Sequence, residues 1–178
     1  MTLISHTHAT PLGDMLALLS ERGLCLLEFS QRTKGLEREI AQVEAARGGP
    51  ARPGRNALTE QLGRELAEYF AGQRQRFDIP LDLVGTPFQR DVWQALLAIP
   101  YGHTRSYAEQ ARGIGKPTAT RAVAAANGAN KISLIVPCHR VIGSDGSLTG
   151  YGGGMPRKQW LLALERGERE LALPDPRA

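Results

Sequence analysis

Residues 106–127 read SYAEQARGIGKPTATRAVAAAN, and the architecture of the second half turns on how this stretch is punctuated. Ser106 followed three residues later by Glu109 is a capping box, which opens a short helix ending near Gly113. Gly115-Lys116-Pro117 makes a tight turn, and Thr118 to Asn127 reads as another helix. Two short helices joined by a Gly-containing turn suggest a helix-turn-helix; an ordinary αα-corner carries the same signals. Ala122, Ala124, Ala125 and Ala126 give the second helix a low-profile surface around Arg121. Alanine is simply a good helix former. Small side chains also let a helix backbone press into a groove while Arg121 projects.

Upstream, Thr86-Pro87-Phe88-Gln89 is a second capping box with proline at the first helical position. That helix runs to about Ile99, where Pro100-Tyr101-Gly102 breaks it. Downstream, an amphipathic helix spans Pro156 to Glu165, with Gly167 as its stop. The first half reads as mixed α/β. Met15 to Ser20 and Gly23 to Phe29 are apolar runs forming a hairpin, and Ala46 to Asn56 is a Gly/Pro-rich loop. Leu58 to Phe70 has helical spacing. Phe77 to Leu83 is expected to be an edge strand, since Pro80 excludes a central one. The expected organisation is a domain over 1–84, a second over 85–167, and a tail over 168–178 containing Pro174 and Pro176.

With 42% hydrophobic and 22% charged residues in 178, the chain can bury a core, which excludes disorder throughout. No run approaches the roughly 18 apolar residues of a membrane span. Residues 1–13 lack a basic start followed by an apolar stretch, so a cytoplasmic protein without a secretory leader is expected. Two cysteines, Cys25 and Cys138, with no CxxC pair exclude a disulfide scaffold and a Cys-rich zinc module. Cys25, His6 and His8 fit no strong zinc spacing, so no metal and no cofactor are expected. Charge is uneven: residues 1–83 hold 10 Lys/Arg against 11 Asp/Glu, and residues 84–178 hold 12 against 7. A basic second half suits an anionic partner such as nucleic acid, and equally an ordinary basic domain.

Ile132 to Val136 reads as a buried apolar strand, apart from Ser133, that delivers Pro137-Cys138-His139-Arg140-Val141. A lone cysteine after such a strand is commonly a small hydrophobe. Here His139 and Arg140 are neighbours whose positive charge would favour thiolate, and proline stiffens the approach. Gly150-Tyr151-Gly152-Gly153-Gly154 follows and can wall a pocket with backbone amides.

Pro137-Cys138-His139-Arg140-Val141 resembles the acceptor motif of the O6-alkylguanine-DNA alkyltransferases, the methylated-DNA–protein-cysteine methyltransferases. Thr86-Pro87-Phe88-Gln89, Ser106-Tyr107, Arg121-Ala122-Val123, Asn130, Gly150-Tyr151 and Leu161-Leu162-Ala163-Leu164-Glu165 fall at that family's spacing, over residues 86–165. The resemblance implies an α+β protein of two domains, an RNase H-like N-terminal α/β domain and a C-terminal helical domain with a helix-turn-helix. It implies repair by direct damage reversal. The helix-turn-helix enters the minor groove of duplex DNA, the alkylated guanine (or O4-alkylthymine) is flipped out, and its alkyl group moves to Cys138. Each molecule then acts once. By resemblance His139 takes the thiol proton through a water, Glu165 orients His139, and Tyr107 donates toward guanine N3. Arg121 fills the space of the flipped base, and Ser106, Thr118, Ala122 and Ala125 join it at the DNA. Asn130 braces the active-site turn. The Val141 carbonyl, Tyr151 and the Gly152 amide line the pocket. Some relatives have a hydroxyl residue where this chain has Gly152, which leaves only backbone donation there. The partner implied is double-stranded DNA bearing O6-alkylguanine, and the protein is expected to be a monomer able to cluster on DNA. A Cys-His-Glu hydrolase uses the same residue types but turns over.

Overall fold

The computed structural model describes residues 2–32 and 34–174. The chain divides into two compact units, 1–84 and 85–178. The first is a small α/β unit and the second is mostly helical.

In the first unit the hairpin forms as β2 (Met15–Leu19) and β3 (Leu24–Phe29), antiparallel, with a register shift at Leu18/Leu19. On the far side of β2 lies β1 (Ile4–His8), also antiparallel, and then the two-residue β4 (Arg52–Pro53), parallel to β1. The sheet order is β3-β2-β1-β4. The expected loop over 46–56 therefore contains this short strand. Helices α1 (Leu36–Ala46) and α2 (Ala57–Phe70) complete the unit. Leu3, Leu18, Cys25, Leu26, Val43 and Val84 form a buried cluster, with Leu36 and Ile40 of α1 packed against it. Every residue of β3 is buried, so apart from Glu28 the strand reads as an apolar run and not as an alternating one.

The strand expected over Phe77–Leu83 is reduced to one parallel bridge, Leu24 to Leu81. The Leu24 N–H donates to Pro80 O at 2.9 Å, and the Asp82 N–H donates to Leu24 O at 2.8 Å. Pro80 takes part only through its carbonyl, where its missing donor costs nothing, and pairing spreads no further. The bridge still covers the outer edge of β3. Gly23 makes this approach feasible: a Cβ there would stand 2.3 Å from Pro80 O.

Asp82 anchors the same segment. It accepts from Ser20 Oγ at 2.6 Å and from Arg47 Nε and Nη2 at 2.8 and 2.7 Å. Chiefly through the Arg47 bonds, its carboxyl is held at about 2, below the ordinary 3.8. Cys25 Sγ lies 3.5 Å from Asp82 Oδ2, while His6 and His8 pack ring to ring at 4.7 Å on β1. Among the described residues, no three His, Cys, Asp or Glu side chains are grouped to hold a metal ion.

The second unit contains α3 (Pro87–Leu97), the short β5 (Arg105–Ser106), α4 (Tyr107–Gly113), α5 (Thr120–Gly128), a 3₁₀ turn (Cys138–Arg140), β6 (Val141–Ile142) and α6 (Met155–Glu165). Both expected capping boxes are present, Thr86 with Gln89 and Ser106 with Glu109. The helix expected from Thr118 begins at Thr120, because Lys116 O accepts the Ala119 N–H in a turn that holds 116–119 outside the helix. No described helix is long and apolar enough to cross a membrane. Of the tail expected at 168–178, residues 168–174 carry no helix or strand, and 175–178, with Pro176, lie outside the described residues.

A carboxyl depressed on folding stabilises above its unfolded pKa, and that stability is lost as pH falls through the folded value. Asp82→Asn should therefore cost the first unit about 2 kcal/mol at neutral pH. The difference from wild type should shrink as pH drops from about 4 toward 2. Urea unfolding at pH 7, 4 and 2.5 checks this; a difference independent of pH would remove the carboxylate as its cause.

Candidate active site

The site is built on a helix-turn-helix whose members are locked by side-chain hydrogen bonds. The Gln110 amide of α4 and the Asn127 amide of α5 donate to each other at 2.9 and 2.8 Å, both buried. Trp93 Nε1 of α3 donates to Ala126 O at 2.9 Å. Val123, Ala126 and Asn127 form the inner face of α5. Arg121, Ala122, Ala124 and Ala125 are exposed, as is Thr118 in the preceding turn. Ser106 differs from its expected place at the DNA: it is buried, and its Oγ accepts the Glu109 N–H at 3.1 Å. Its hydroxyl starts α4 and so sets where Tyr107 stands.

The segment 132–136 is not a strand. It is a run of turns in which Ser133 is also buried and Leu134 has φ +76°. Asn130 holds it. Its Oδ1 accepts the Ile132 N–H at 2.9 Å and its Nδ2 donates to Val136 O at 2.8 Å. An amide side chain can thus replace the ladder partners a strand would need. The same Nδ2 lies 3.3 Å from Cys138 Sγ, so the brace also touches the thiol.

Cys138 opens the 3₁₀ turn, partly exposed, with its N–H donating to Val136 O at 2.8 Å. His139 is fully buried, and its Nε2 lies 2.8 Å from Glu165 Oε2, at the end of α6. Arg140, the other neighbour of the thiol, is engaged by Glu165 and the backbone. Its Nε and Nη2 donate to the two Glu165 oxygens at 2.7 and 3.0 Å, and its Nη1 donates to Ile99 O at 2.7 Å. Burial raises the Glu165 carboxyl, but His139 and the Arg140 bonds outweigh it and hold the group well below the usual carboxylate range. Burial lowers His139 against the opposing pull of Glu165, which favours the neutral ring. A neutral ring donating from Nε2 to the carboxylate leaves Nδ1 as an acceptor. Nδ1 is buried and has no hydrogen-bond partner.

The pairing of Arg105 with Val141 and of Ser106 with Ile142 brings Tyr107 beside the strand that follows the thiol. Thr149 Oγ1 donates to Tyr107 Oη at 3.1 Å. Tyr151 stands edge-on to His139, centroids 6.5 Å apart, and Gly152 is exposed. Three groups in this region were not singled out from the sequence. Lys158 is fully buried, and its Nζ donates to Val141 O and Thr149 O, both at 2.6 Å. It lies three, four and seven residues before Leu161, Leu162 and Glu165, on their helical face, which is the signal that marks it. Arg157 Nη1 donates to Gly153 O at 2.9 Å. Thr149, in an exposed loop, carries no sequence signal.

Two family models match the chain: the ribonuclease-like domain of 6-O-methylguanine DNA methyltransferase over residues 3–83, and the DNA binding domain of the same protein over residues 87–167. A methylated-DNA–protein-cysteine methyltransferase of Mycolicibacterium paratuberculosis is 65% identical over 102 residues, 57% of this chain and 62% of its own length, less than two thirds. One from Methanosarcina barkeri is 44% identical over 156 residues, 88% of this chain and 92% of its own. The crystal structure of Mycobacterium tuberculosis OGT in complex with DNA superposes with a TM-score of 0.76 at 44% identity, over 90% of this chain and 91% of that one. With both domain models matched in order and a relative covered almost end to end, the chain belongs to the 6-O-methylguanine DNA methyltransferase family.

Proposed function

We propose that this protein repairs O6-alkylguanine, and O4-alkylthymine, in duplex DNA by moving the alkyl group to Cys138, once per molecule. The observation that carries the reading is the chain Cys138, His139, Glu165. A partly exposed thiol precedes a buried imidazole whose far nitrogen is tied to a buried carboxylate held well below the usual carboxylate range. The names of the relatives and the DNA-bound mycobacterial structure support the same reading.

The thiol gives its proton to His139 Nδ1 through a water, because adjacent side chains in a 3₁₀ turn diverge. Glu165 stabilises the imidazolium that results. The Asn130 N–H steadies the thiolate. Sulfur then displaces the purine oxygen from the alkyl carbon, while Tyr107 donates to N3 and makes the purine a better leaving group. The product is a thioether, which water does not cleave, so the protein is inactivated. The base reaches this site by flipping out of the duplex. The exposed Ala122 and Ala125 let α5 approach the minor groove closely, and Arg121 takes the vacated place in the stack. Thr118 adds a contact at the turn. The Val141 carbonyl, Tyr151 and the Gly152 amide read the base.

Under excess O6-methylguanine duplex, each molecule should remove no more than one methyl. Intact and peptide mass should place that methyl on Cys138 and not on Cys25. Multiple turnovers without an adduct would indicate a hydrolase instead. Cys138→Ser should abolish transfer and leave DNA affinity nearly intact, with binding weakening as salt rises. A gel-shift titration reads both, and loss of binding in Cys138→Ser would contradict the separation of thiol and helix-turn-helix.

Arg121→Ala should slow repair of duplex O6-methylguanine by at least about tenfold, roughly 1.4 kcal/mol. Reaction with free O6-benzylguanine, which needs no flipping, should change little. Equal losses on both substrates would make Arg121 a support of the pocket.

A further inference from the structure

Thr149 has no place in the scheme above, and its side chain is exposed, yet its hydroxyl meets a group that the scheme uses. Thr149 Oγ1 donates to Tyr107 Oη at 3.1 Å. A phenol has one proton and accepts through its lone pairs. When Thr149 donates into that oxygen, the Tyr107 proton points away from Thr149. Accepting a hydrogen bond also polarises the phenol and strengthens its own donation.

The donor is set on a fixed point of the chain. The Thr149 carbonyl accepts from Lys158 Nζ at 2.6 Å, and the same ammonium donates to Val141 O at 2.6 Å. Lys158 is completely buried in α6, so the backbone at 149 is tied both to that helix and to the strand beside Tyr107. A threonine on an otherwise exposed, glycine-flanked loop is thereby held within reach of the phenol.

We propose that Thr149 is a positioning residue for alkyl transfer: its hydroxyl turns the Tyr107 O–H toward the base and makes it a stronger donor. This rests on the reading in which Tyr107 donates to purine N3. In the step concerned, the S–C bond forms at the alkyl carbon as the C–O6 bond breaks, and the electron pair stays with the purine. The Tyr107 hydrogen bond takes up part of that charge, and the proton released by the thiol balances the one the purine regains.

The test is single-turnover transfer from O6-methylguanine duplex at saturating protein, with DNA affinity measured separately. Thr149→Val should lower the saturated rate by about three- to tenfold and leave affinity within about twofold, the loss of one oriented hydrogen bond. Thr149→Ser, which keeps the hydroxyl, should stay within about twofold of wild type on the same scale. In a Tyr107→Phe background, Thr149→Val should cost nothing more, because the group it acts through is gone. A full rate for Thr149→Val, a Ser variant as slow as Val, or an undiminished loss in the Tyr107→Phe background would each overturn the proposal. Wild-type protein that reacts with the duplex but responds in one of these ways leaves the transfer function standing and removes only the role of Thr149. Wild-type protein that never carries a methyl on Cys138 removes both.

Discussion

One carboxylate, Glu165, is shared between His139 and Arg140 out of reach of water, and the geometry of the second unit follows from satisfying it. A buried carboxylate needs partners on every lone pair. The fork of Arg140 meets both oxygens, and its remaining nitrogen reaches Ile99 O. His139 takes the leftover position on Oε2. The segment just past α3, the 3₁₀ turn and the last residue of α6 are thereby fixed around the Arg140–Glu165 pair. Lysine cannot make this set of bonds, because its single nitrogen cannot span both carboxylate oxygens and the Ile99 carbonyl as the planar fork does. The sequence reading gave Arg140 the task of favouring thiolate at Cys138. In the structure its guanidinium is spent on the Glu165 oxygens and the Ile99 carbonyl, which holds the carboxyl below its usual range.

The two cysteines show how surroundings sort identical thiols. Cys25 lies in the core beside Asp82, and burial with that carboxylate pushes it up to about 11. It is an inert small hydrophobe. Cys138 is partly exposed and meets an amide N–H of Asn130 at 3.3 Å, the kind of neighbour a thiolate needs. The difference lies in who donates: at Cys25 the sulfur donates to a carboxylate, and at Cys138 it receives.

Most of the second unit was legible because its punctuation is local. The capping boxes at Thr86 and Ser106, the turn at Gly115 and the stop at Gly167 depend on residues three or four apart. The rest turns on a single contact that the apolar pattern does not show. Ile132–Val136 has the apolar run of a strand, but Asn130 folds it into turns. Phe77–Leu83 was expected to pair along its length, yet it touches β3 at a single residue. Helix α1 and strand β1 were not singled out. The apolar positions of α1 are few and scattered among charges, and β1 carries histidines, serine and threonine in place of an apolar run. At the site, the chain from Cys138 to Glu165 was readable from a specific motif. Lys158 and Thr149 were not, since a lysine in a helix and a threonine in a loop are ordinary until their carbonyl and phenol partners are placed beside them.

The reciprocal amides of Gln110 and Asn127 have an evolutionary consequence. Each side chain is both donor and acceptor for the other, in a buried place. Replacing one alone strands the other's polar atoms at a cost of roughly 1–3 kcal/mol, whereas replacing both with apolar groups of the same shape is nearly neutral. The two positions therefore occupy separate peaks of fitness joined by a valley. A lineage crosses it only by a double change or with stability in reserve, so residues 110 and 127 should vary together across descendants of this chain, with single changes transient.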